Sequence, residues 1–134
     1  MKSRSAVVLD TTAYSRLRTG HGKLLDRLSR ATIVHVPVVV LGELEAGFRR
    51  GSRYAENRRV LEEMLDETFV SVLDVDAGVA RRYGMVLAHL RERGRPIPTN
   101  DVWIAATTIQ AGGHLLTFDS DFEHVEGLEH TLLR

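Results

Sequence analysis

The chain has no cysteine, which excludes disulfide staples and thiolate zinc sites and makes a reducing cytoplasm the expected setting. Proline occurs three times in 134 residues and the glycines are scattered, so no linker or low-complexity tract divides the sequence. A single domain over residues 1–134 is expected, long enough to bury about two thirds of its unfolded surface. No apolar run approaches the roughly 20 residues that cross a bilayer. The short run at residues 6–9 is also too brief for a signal-peptide core, so no membrane segment is expected. Net charge is missing too, since 18 basic residues balance 18 acidic ones; this argues against the uniformly basic surface common among nucleic-acid binders. Lysine is confined to Lys2 and Lys23. The remaining cations are arginines, several of them bunched: Arg49, Arg50 and Arg53, then Arg58 and Arg59, then Arg91, Arg93 and Arg95. Arginine is the side chain suited to bidentate phosphate recognition.

Chemical signatures are absent as well. The sequence contains no glycine-rich dinucleotide fingerprint, phosphate-binding loop or nucleophile elbow, so nucleotide-cofactor chemistry is unsupported. Its histidines (His21, His35, His89, His114, His124 and His130) lack the paired spacing of a zinc site and read as structural or surface residues.

What is present is an alternation of short strands and helices. Residues 6–9 read as a buried strand ending at Asp10, and residues 33–36 as a second strand stopped by Pro37. Residues 69–73 and 114–117 read as further strands, and residues 128–133 contain a candidate edge strand. Between them, residues 14–17 and 24–28 suggest short helices broken around Gly20-His-Gly22. Residues 38–50 are helical in pattern, with Leu41, Leu44 and Phe48 on one face. Residues 57–66 carry the stripe Val60, Leu61, Met64 and Leu65. Asp76 opens a long helix with Val79, Tyr83, Val86, Leu87 and Leu90 inward, ending at Gly94. Thr99 or Asn100 is expected to cap a last helix through about Gln110, which Gly112-Gly113 terminates. This order predicts an α/β fold whose parallel sheet is covered on both faces.

Four acids fall where such a sheet would turn them toward one end. Asp10 and Asp119 lie at or just past strand ends, where ligands bind in parallel sheets. Asp101 lies in the first turn of a helix, at the positive end of its dipole. Glu43 sits one turn into the helix after the second strand, beside apolar neighbours. Each has an ordinary alternative: a helix cap for Asp10, an exposed helix acid for Glu43, a dipole partner for Asp101, and turn chemistry for Asp119 and Asp121. Together they form a set of hard oxygen donors suited to Mg²⁺ or Mn²⁺. Such a site is built for hydrolysis of a phosphodiester by metal-activated water.

Four blocks carry a resemblance: Val8-Leu-Asp-Thr-Thr12, Glu43-Leu-Glu-Ala-Gly47, Gly94-Arg-Pro-Ile-Pro-Thr-Asn-Asp-Val-Trp-Ile-Ala-Ala106 and Leu116-Thr-Phe-Asp-Ser-Asp-Phe122. They resemble the signature blocks of PIN domains, and more narrowly the VapC-type toxin ribonucleases of toxin–antitoxin pairs. The resemblance implies a three-layer α/β/α sandwich with a central parallel sheet and Mg²⁺- or Mn²⁺-dependent endoribonuclease activity. It assigns catalysis to Asp10, Glu43, Asp101 and Asp119, and metal binding to Asp10, Asp101 and Asp119. Asp121 competes for the fourth position, and Thr11, Asn100 and Thr117 support the carboxylates. It further implies an RNA substrate, a VapB-like antitoxin partner and a homodimer. Haloacid-dehalogenase-like phosphatases would want an acid where Thr12 stands, and receiver domains a late lysine that is missing. A PIN-like module that binds RNA or protein without cleaving is the remaining alternative.

Overall fold

The structure, a computed structural model, describes residues 6–134. Strand β1, Ala6–Leu9, is apolar throughout, as a strand buried on both faces must be. Successive side chains of a strand point to opposite faces, and β1 divides its residues that way. Val8 enters one core with Val36, Leu115, Leu61 and Leu90, while Val7 and Leu9 enter a second with Val34, Leu116 and Leu24. The sheet continues through β2 (Ile33–Pro37), β3 (Val70–Leu73), β4 (His114–Thr117) and β5 (His130–Leu132). Its order is β3-β2-β1-β4-β5 and every pairing is parallel.

Helices cover both faces. The helices α1 (Thr11–Arg18) and α2 (Gly22–Ser29) contribute Ala13 and Leu24 to the second core. The first core takes in residues from α3 (Val38–Arg50), α4 (Tyr54–Leu65), α5 (Ala77–Glu92) and α6 (Thr99–Ala111). The expected three-layer α/β/α sandwich with a parallel sheet is therefore what the chain forms. Among the described residues no helix is long and apolar enough to cross a membrane.

Element boundaries moved where a cap decides them. Helix α1 starts at Thr11, three residues earlier than the apolar pattern suggests, because Asp10 caps it. His21, read from sequence as part of a break, caps α2 by accepting from the Leu24 N–H at 3.3 Å. Pro37 does not stop β2 but is its last residue, opposite Leu73. Neither Thr99 nor Asn100 caps α6. Pro98 holds that position, with no side-chain hydrogen bond, and both polar residues lie inside the first turn. Asp76 does cap α5, accepting from Val79 N–H at 2.9 Å.

Strands β1, β2 and β3 step outward in one direction, and the chain then returns to place β4 on the other side of β1. The carboxyl ends of β1 and β4 thus flank the switch point where parallel sheets open a crevice. Gly112-Gly113 ends α6 and starts β4 within two residues. Gly112 takes a left-handed conformation, φ 68°, available cheaply to glycine. At Gly113 a Cβ would lie 2.6 Å from Val8 Cγ2, so only glycine lets β4 enter the sheet against β1. Gly113→Ala should overpack this contact and cost about 1–3 kcal/mol. Urea denaturation measures it, and an unchanged midpoint would contradict the packing argument.

Candidate active site

The β1–α1 junction buries a carboxylate. Asp10 is 2% exposed, and its Oδ1 accepts from Ala13 N–H and from Thr12 Oγ1, each at 2.8 Å. Its Oδ2 accepts from Thr117 Oγ1, on β4, at 2.5 Å. Each hydroxyl also accepts a backbone bond: Thr12 Oγ1 from Phe118 N–H at 3.0 Å and Thr117 Oγ1 from Asp119 N–H at 2.9 Å. A hydroxyl has one proton to give, so both point theirs at Asp10. Capping and site placement are the same act here, and the carboxylate that ends β1 is locked to the end of β4.

Glu43 sits on α3. It accepts a short hydrogen bond from Thr11 Oγ1 on Oε1, and one from Asn100 Nδ2 at 3.1 Å on Oε2. Asn100 thus joins α6 to α3 rather than capping its own helix. Thr11 ties α1 to the same glutamate. Glu45, two residues on, faces elsewhere: it accepts from Tyr54 Oη at 2.6 Å and pairs with Arg49 and Arg58.

Asp101, in the first turn of α6, is half-buried, and its carboxyl is pushed up to about 7. Burial is the largest cause; the charges of Asp119, Glu43, Asp10 and Asp121 follow in that order. Five acids from four separate stretches of chain therefore act on one another. Burial likewise raises Asp10, against its three hydrogen bonds, and the Asp119 charge adds to the rise. Asp119 caps the 3₁₀ turn Ser120–His124 by accepting from Asp121 N–H at 2.9 Å, so the turn chemistry expected there exists beside the site geometry.

A cleft of about 310 Å³ is lined by Asp10, Thr11, Thr12, Glu43, Arg50, Asp101, Ile104 and Asp119. Carboxylate oxygens of Asp101, Asp119 and Asp121 all lie within 4.8 Å of one another, close enough to share one cation. That tightest trio includes Asp121 and leaves Asp10 outside, so both members of the Asp-Ser-Asp pair stand at the cleft. From sequence, Thr12 has no site role and Arg50 is only one member of a cluster. Thr12 was signalled by a hydroxyl two residues after a buried aspartate, and Arg50 by its position two helical turns after Glu43, on the same face.

Four arginines of the first two clusters are engaged by glutamates rather than free. Arg49 pairs with Glu45, Arg53 with Glu56, Arg58 with Glu62 and Glu45, and Arg59 with Glu63. These exposed pairs contribute little to stability.

The PIN domain family model matches residues 7–128, and the chain belongs to that family. Among named relatives, "Ribonuclease VapC5" of Mycobacterium tuberculosis is 32% identical over 126 residues, covering 92% of this chain and 90% of the relative. "Ribonuclease VapC4" of the same organism is 35% identical over 95 residues, covering 70% and 72%. The solved structure of VapBC-5 from M. tuberculosis, a member of the VapBC family of toxin–antitoxin systems, superposes with a TM-score of 0.77 at 28% identity. It covers 96% of this chain and 99% of that one. VapBC-1 from nontypeable Haemophilus influenzae shares the fold, with a TM-score of 0.84 over 94% and 96% of the two chains at 24% identity.

Asp101 also makes the fold sensitive to pH. In the folded chain it keeps its proton to about pH 7, while an ordinary aspartate loses it near 3.8. The folded state therefore binds more protons between those values, and stability falls as pH rises through that window. In chelator, Asp101→Asn should be more stable than the parent at pH 8, by roughly 1 kcal/mol once the half-exposed position is discounted. The difference should vanish near pH 4. Thermal melts across pH test this; parallel curves for the two proteins would contradict it.

Proposed function

We propose that the chain is a divalent-metal-dependent endoribonuclease, the toxin of a VapBC-like toxin–antitoxin pair, cleaving RNA with water as the nucleophile. The observation that carries this reading is the convergence of Asp10, Glu43, Asp101 and Asp119, with Asp121, in one cleft at the carboxyl ends of β1 and β4. The ribonuclease relatives and the VapBC structural neighbour support the activity class and the partner class.

The donor set fits Mg²⁺ or Mn²⁺. It is made of carboxylate oxygens, with no sulfur or imidazole among the residues lining the cleft. The burial and carboxylate repulsion that raise the Asp101 carboxyl to about 7 are what a divalent cation held there would offset. Asp10, Asp101 and Asp119 would hold the ion, with Asp121 in reach of the same position. The chemistry such an ion supplies is Lewis acidity, which brings the pKa of water toward neutrality and offsets charge on the scissile phosphate.

The chain's own residues do the positioning. Thr12, Thr117 and the Ala13 N–H hold Asp10 in one orientation. Thr11 and Asn100 hold both oxygens of Glu43, leaving further lone pairs to orient a water and take its proton. Attack by water rather than by the ribose 2′-hydroxyl leaves a 5′-phosphate and a 3′-hydroxyl. In the cell the reading places the protein in the cytoplasm, as a homodimer. A VapB-like antitoxin would silence it by inserting a basic side chain into the acidic cleft.

Purified protein incubated with single-stranded RNA should cleave in Mn²⁺ and stop in EDTA. Asp10→Asn and Asp101→Asn should each lower the rate by at least about 100-fold with far-ultraviolet circular dichroism unchanged. Cleavage that persists in EDTA, or at the parental rate in either variant, would overturn the assignment.

A further inference from the structure

Arg50 lies on the wall between two cavities. One is the acidic cleft; the other is an adjoining groove of about 440 Å³ lined by Val39, Gly42, Glu43, Ala46, Arg50 and Asn100. Glu43 and Arg50 belong to both, so the two spaces adjoin along the face of α3. Glu43 and Arg50 are seven residues apart, two turns on one side of the helix. Gly47 stands between them without a side chain, and a Cβ there would sit 3.8 Å from Arg50 Nη2.

Among the arginines from Arg49 to Arg59, the charge of Arg50 is the unspent one. Its neighbours Arg49, Arg53, Arg58 and Arg59 are each engaged by glutamates. Arg50 makes no ion pair or hydrogen bond from its side chain among the described residues, although it lines a cleft rich in carboxylates. An exposed guanidinium facing such a cleft is placed to meet an anion arriving from solvent.

Building on the nuclease reading, we propose that Arg50 grips the RNA phosphate adjacent to the scissile one. The flanking nucleotide lies in the groove against Val39 and Ala46, with Asn100 at its edge. The acidic cleft by itself repels a polyanion. A planar fork of donors on its rim supplies the attraction that directs the backbone across Glu43 and into the site. Arg50 is thus a substrate-binding residue that sets register.

The test is binding of a fluorescein-labelled, single-stranded, random-sequence RNA 12-mer by fluorescence anisotropy, in EDTA to prevent cleavage and at several salt concentrations. R50A should weaken affinity about tenfold and reduce the slope of log affinity against log salt by about 0.7, one phosphate contact on a single strand. R50K should restore the slope but not the full affinity, and R59A should match the parent. In Mn²⁺, R50A should raise KM with kcat nearly unchanged. Circular dichroism checks that each variant is folded. A parent that cleaves in Mn²⁺ while R50A keeps parental affinity, slope and KM overturns this proposal alone. A parent that neither binds nor cleaves RNA overturns the nuclease reading and this proposal with it. Equal losses in R50A and R59A also overturn it, since they would reflect general charge rather than a contact.

Discussion

The carboxylate of Asp10 is taken out of water and held there by three donors, from Ala13, Thr12 and Thr117. A buried charge is tolerated only when it is paired or well hydrogen-bonded, and this one is bonded across the crevice between β1 and β4. Much of the surrounding architecture answers to that requirement. The cap that starts α1, the hydroxyl that ends β4 and the backbone N–H groups of Phe118 and Asp119 all belong to one network. Because the network spans neighbouring strands, the acids that follow each strand are delivered to the same place.

Hydrogen bonds do not remove the repulsion among the acids themselves. Asp101 bears it most visibly, held protonated to about pH 7 by burial and by four neighbouring carboxylates. The fold therefore stores an electrostatic cost at the crevice. A divalent cation would relieve such a cost while gaining ligands. Glu43 is handled differently, with Thr11 and Asn100 supplying donors to both oxygens, which suits a group that orients water.

The sequence was informative where local chemistry and topology agree. The apolar run before Asp10, the Gly112-Gly113 stop and the alternation of strands and helices all foretold the α/β/α sheet, and the strand-end positions of Asp10 and Asp119 pointed to the cleft that both line. Helix starts were less legible. Asp10 moves α1 three residues earlier through a bond to the Ala13 N–H, and His21 caps α2 although histidine is not a favoured cap. Asn100 looked like a cap because of its place before Trp103 and Ile104, yet its amide is drawn to Glu43, 57 residues away in sequence. Pairing of that range leaves no local trace. The arginines around α3 and α4 were misleading for the same reason: Arg49, Arg53, Arg58 and Arg59 are neutralised by glutamates three or four residues away, and Arg50 beside them is distinguished only by the cavity it lines.

The account therefore turns on whether a doubly charged ion is what makes this gathering of carboxylates stable. Calorimetric unfolding of the unmodified protein at pH 8, in Mn²⁺ and again in EDTA, measures that directly. Binding to the folded state alone should raise the transition, by an amount equivalent to about 2.7 kcal/mol at a hundred times the dissociation constant. Superimposable transitions in the two buffers would contradict it.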